Sequence, residues 1–84
     1  MSLYLQLNEI VKLSNALKVV NQDLWEIEDS LRYKEQILQF DDEFIALARS
    51  VYMKNYERAQ LKYKINITNH SFLLEVKSYS ELLL

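Results

Sequence analysis

Arg58 follows Asn55 by three residues and Lys62 follows Arg58 by four. On a helix the three project from one face, where a guanidinium, an amide and an ammonium can hold a phosphate or carboxylate together. With Arg49 one stretch earlier, and Glu28 and Asp29 supplied by a neighbouring helix, these residues describe a polar site between helices for an anion or a nucleotide sugar. A structural reading competes with it and is preferred. In an antiparallel hairpin turning near residue 40, Asn55 and Arg58 come level with residues 23–28, where Asp23 and Glu28 neutralise the cation.

The remaining chemistry is sparser. Glu26 and Asp29 share a helix face, as paired carboxylates do in di-iron bundles, but no second acidic helix pair follows and no metal is expected. His70, the single histidine, lies among Asn69 and Ser71 with no orienting group in sequence, so no general base is assigned and no catalytic residue is named. Asp41, Asp42 and Glu43 read as a helix start rather than a hard-cation site, which needs more converging oxygens. Glu28 and Arg32 are spaced for an i,i+4 ion pair. Two glycosylation tripeptides, at Asn66 and Asn69, read as chance matches, and no cofactor is expected.

The elements that must position these groups are easier to read. Leu3, Ile10, Leu17, Leu24, Leu31 and Leu38 recur every seventh residue, with Leu13, Val20 and Ile27 between them at three-and-four spacing. Such spacing draws one apolar seam along a helix. There is no glycine and no proline to interrupt it. The expected first helix runs from about residue 3 to 38, with Gln6 and Lys34 as polar interruptions of its seam. A turn over residues 39–41 follows, with Asp41 as N-cap and with Phe40 and Ile45 placed as a hydrophobic staple. A second helix over residues 42–66 carries Phe44, Leu47, Val51, Leu61 and Ile65. Residues 66–71, rich in turn formers, predict its end, and the alternation of Phe72, Leu74 and Val76 predicts an extended tail over residues 67–84. The fold class is therefore all-α, a single domain built as a long antiparallel helical hairpin with an extended C-terminal tail. So short a second helix leaves Leu3, Leu7, Ile10 and Leu13 uncovered, which assigns them to an oligomer interface and predicts a homodimer in the form of a four-helix bundle.

Composition narrows the classes further. The chain has 84 residues, half of them apolar and 26% charged, a balance that excludes intrinsic disorder and fits one small domain. The lack of cysteine removes disulfides and thiolate metal sites. No segment reaches the roughly 18 uncharged apolar residues of a membrane span, and a cytoplasmic location is expected. Residues 23–43 are acidic and residues 49–64 basic. Mutual neutralisation of the two segments argues against nucleic acid as a partner.

The run Leu24-Trp25-Glu26-Ile27-Glu28-Asp29-Ser30-Leu31-Arg32 is followed by Phe44-Ile45-Ala46-Leu47-Ala48-Arg49-Ser50-Val51-Tyr52, then by Asn55, Arg58-Ala59, Leu61-Lys62 and Ile65-Asn66. In this order the motifs resemble a family of short uncharacterised bacterial proteins, over about residues 17–79. Tyr56 departs from the acidic residue that the family pattern carries after Asn55. The resemblance implies a helical module without an established activity, in the company of surface-polysaccharide glycosyltransferases, with another protein of polysaccharide assembly as a partner. Together these readings lead to a non-enzymatic helical interaction module, with the anion-binding bundle as the alternative.

Overall fold

The computed structural model describes residues 2–83, with Tyr79, Leu82 and Leu83 described by their backbone alone. Helix α1 spans Leu3–Gln36 and helix α2 spans Asp42–Leu83. They pack antiparallel as a rod of 66 × 16 × 14 Å with a radius of gyration of 19.1 Å, against about 12 Å for a globular chain of this length. The all-α hairpin expected from the seam is what forms.

Each helix begins and ends for local reasons. Ser2 caps α1, its Oγ accepting the Leu5 N–H at 3.2 Å. At the other end, Gln39 N–H donates to the Lys34 carbonyl at 2.9 Å and Leu38 N–H to that of Glu35 at 3.2 Å. These two bonds close a Schellman motif, which needs a left-handed residue at its bend. Leu38 takes that role with φ 55°. The expectation that Leu38 prolongs the seam is thereby corrected: the helix has already ended and the side chain is 74% exposed. Asp41 then caps α2, accepting the Phe44 N–H at 2.9 Å. Phe40 packs edge-to-face on Phe44, with ring centroids 5.2 Å apart, while the staple residue expected from sequence, Ile45, is exposed.

The extended tail is the larger correction. Helix α2 continues without a break through residues 66–71 to Leu83, and only Leu84 of the expected tail lies outside the described residues. The reason is positional. Asn, Thr, His and Ser lower helix propensity by a few tenths of a kcal/mol each, which tertiary packing overrides when no glycine or proline intervenes. Ile65, Thr68, Phe72 and Glu75 prolong the three-and-four spacing of Phe44, Leu47, Val51, Lys54, Arg58 and Leu61, and all are half-buried along one stripe. Leu74 and Val76, read from sequence as strand-like partners of Phe72, point away and are exposed.

Ion pairs fix the register. Lys54 Nζ lies 3.1 Å from an Asp23 carboxylate oxygen, and Lys34 Nζ lies 3.5 Å from one of Glu43. To within one residue, Leu24 thus comes level with the seam residue Lys54, Leu13 with Ile65 and Leu3 with Glu75. The long α2 reaches the segment expected to stay uncovered. Leu13 is buried at 9% exposure, Leu3 and Ile10 are half-buried, and only Leu7 of that group remains open at 50%. The inference of an interface from an uncovered N-terminal seam loses its premise.

Candidate functional site

The seam is less apolar than a coiled coil of this length needs. Leu13, Val20 and Leu24 are its buried hydrophobic residues, and Gln6 and Lys34 are buried beside them. Lys54, Arg58, Thr68 and Glu75 occupy seam positions of α2, half-buried. Two of these polar insertions are built into clasps, and the clasps are the best-defined polar geometry of the molecule.

The turn clasp centres on Asp41. Its carboxylate accepts Gln39 Nε2 at 2.7 Å, the Phe44 N–H at 2.9 Å and Lys34 Nζ at 3.1 Å to both oxygens. Those bonds, led by the Gln39 amide and the Phe44 N–H, hold the Asp41 carboxyl down at about 2. Burial opposes the charge of Lys34, but the hydrogen bond and attraction of Asp41, with Glu43 beyond it, outweigh that and raise its pKa. Lys34 also sits in the last turn of α1, where a cation meets the negative end of the helix dipole.

The mid-rod clasp joins Lys54 to Asp23 at 3.1 Å and to Glu57 at 3.5 Å. The hydrogen bond to Asp23 and the charge of Glu57 raise the Lys54 pKa. A lysine serves as base or nucleophile when its pKa falls, so this ammonium is a structural cation. Beside it runs an open groove of about 470 Å³ lined by Ala16, Val19, Val20, Leu61 and Lys64 among others.

The residues singled out in sequence are not drawn into one place. Glu28, Asp29, Arg49, Asn55 and Lys62 are exposed, whereas Arg58 lies in the seam. Arg58 does not pair with Asp23 or Glu28 as expected; Asp23 is taken by Lys54, and the Arg58 Nε is buried with no partner among the described residues. Arg32 pairs with Asp29 at 2.9 Å across three residues, in place of the i,i+4 partner Glu28. Sequence reasoning missed Lys54 because the register was unknown. The signal was present, since Lys54 falls on the three-and-four spacing between Val51 and Arg58. Among the described residues no group of three or more His, Cys, Asp or Glu is placed to hold a metal ion, and no helix is long and apolar enough to cross a membrane.

Fold and clasps together define a class: an antiparallel two-helix rod with a seven-residue repeat on both helices, a polar-interrupted seam and large exposed flanks. Within that class the chain belongs to the family of unknown function DUF6165, whose model matches residues 3–83. Neither the curated proteins nor the solved structures gave a match.

Proposed function

We propose that the chain is a helical interaction module that works by pairing with copies of itself and carries no chemistry of its own. One observation supports this reading above the others. The hairpin exposes 6735 Å² of surface, where a compact monomer of its 10.1 kDa exposes about 5300 Å². Much of the surplus is apolar: Trp25 is 65% exposed, Tyr52 81%, Tyr4 73% and Leu7 50%. A lone hairpin is a single layer of contacts, and such a layer gains most by docking against a second one. In surface-polysaccharide assembly, the setting that the resemblance implies, a cytoplasmic module of this kind brings proteins together and leaves the sugar chemistry to them.

Sedimentation equilibrium tests the reading. A dimer at micromolar concentration is expected, with blue-shifted Trp25 emission as the protein concentration rises through the association range. A monomer throughout that range overturns the proposal. The anion-site reading has weaker support, since Glu28, Asp29, Arg49, Asn55 and Lys62 are spread along the exposed surface away from the seam residue Arg58.

A further inference from the structure

Charge is banded along the rod. Around the turn, Asp23, Glu26, Glu28, Asp29, Glu35, Asp41, Asp42 and Glu43 outnumber Arg32, Lys34 and Arg49. Just behind that band, Lys12, Lys18, Lys54, Arg58, Lys62 and Lys64 face only Glu57. The register puts most of each band beside its own kind, and Lys54–Asp23 is the ion pair that joins the helices across the boundary. Two unlike bands adjacent on one rod attract their opposites on a second rod laid the other way round.

One flank is built for that contact. Glu28 and Leu31 of α1 share a groove with Phe44 and Ala48 of α2, so these sides of the two helices form one surface. Continued at three-and-four spacing, the flank carries Lys18, Asn21, Trp25 and Glu28 on α1, and Tyr52, Asn55, Ala59 and Lys62 on α2. Unlike the opposite flank, where Lys54 is clasped, this one leaves Lys18, Glu28 and Lys62 without an ion pair among the described residues. The α1 stripe is spaced three, four and three, which is the same in both directions, with a cation at one end and an anion at the other.

We propose that this flank binds a second copy of the chain, antiparallel, with the two-fold axis at the level of Asn55, so that Lys18 of each copy meets Glu28 of the other. This rests on the self-association proposed above and specifies its geometry. The axis level follows from the stripe, whose midpoint at residue 23 is level with residue 55. Trp25 of one copy then covers Asn21 of the other, and Tyr52 covers the small Ala59. Asn55 lies opposite itself, where a polar pair fixes register. Parallel docking would instead put Lys18 level with Lys18 and Glu28 level with Glu28. The overlap is about 48 Å at 1.5 Å rise per residue, and across a rod 16 Å wide it covers about 770 Å² of each copy. Stable interfaces bury about 800 Å² per partner.

Charge reversal provides the test. Lys18 and Glu28 of one chain are about 15 Å apart along α1, beyond the ~8 Å screening length of physiological salt, so they do not compensate each other within a copy. The substitutions K18E and E28K should each weaken the dimer about tenfold in sedimentation equilibrium, and the double variant should return to within about twofold of the parent. Circular dichroism checks that all three remain helical. Because the chain has no cysteine, N55C should form a disulfide-linked dimer on oxidation. N69C, about 42 Å from its counterpart in this arrangement, should not. A parent dimer whose double variant is as weak as the singles, or in which N69C cross-links as readily as N55C, overturns the antiparallel geometry and leaves self-association standing. A monomeric parent overturns both.

Discussion

Leu38 holds a conformation that glycine ordinarily takes. In the left-handed region a Cβ crowds the following carbonyl at a cost of about 1 kcal/mol, and the exposed side chain of Leu38 recovers little of it by burial. Leu38→Gly should therefore stabilise the hairpin by about 0.5 kcal/mol, after allowing for the greater freedom of glycine in the unfolded chain. Chemical denaturation measures this, and a loss of stability would mean that Leu38 packs more than its exposure indicates. Asp41 makes a second prediction at this scale. Its folded pKa of about 2 lies below the ordinary aspartate value of 3.8, so its contribution is fully present above the unfolded pKa and disappears as pH falls through the folded one. An acid titration followed by melting temperature should show this loss between about pH 4 and 2, and Asp41→Asn should flatten the slope there and lower the melting temperature at neutral pH. The capping role of Asp41 was legible from its place before an acidic first turn. The strain at Leu38 was not, because leucine gives no local signal for a left-handed bend.

At the scale of the helices, α1 was legible and the stretch of α2 beyond Asn66 was not, for one physical cause. The seam of α1 is nearly all aliphatic, so its repeat stands out, and Gln6 and Lys34 were recognised as interruptions of it. In α2 four of the ten seam positions from Phe44 to Glu75 are polar, namely Lys54, Arg58, Thr68 and Glu75, so the repeat dissolves into apparent turn signals near residues 66–71. Reading the spacing without regard to hydrophobicity would have carried the helix through to Phe72. The two kinds of seam residue should answer mutation oppositely. Leu24, 5% exposed, is surrounded by the hairpin, and Leu24→Ala should cost about 2 to 4 kcal/mol. Arg58 buries a guanidinium nitrogen without a partner, and Arg58→Leu should raise stability by about 1 kcal/mol. Urea melts of both variants decide this; destabilisation by Arg58→Leu would reveal a partner for that guanidinium. The candidate polar site was legible as residue types but not as a place, since its members depended on a register that only the Asp23 and Lys34 ion pairs disclose.

For the whole molecule, the complementary acidic and basic segments were visible in the sequence, but their expected neutralisation within the hairpin is only partial. The turn sets acidic residues beside acidic ones and leaves the basic band further along the rod. The same pairing of near with near and far with far has a mechanical consequence. Leu3 and Glu75 lie side by side at the open end, so a pull separating the first turn of α1 from the last turns of α2 loads one layer of the seam at a time. The Gln6 layer carries the tension after the Leu3 layer yields, and the strain advances past Leu13 and Val20 until it meets Lys54 and, last, the Asp41 and Lys34 clasp at the bend. Pulled from its open end, the rod peels like a zipper at low, nearly constant force. Pulled lengthwise between the bend and the open end, it carries the force along a single helix axis and leaves the seam almost unloaded.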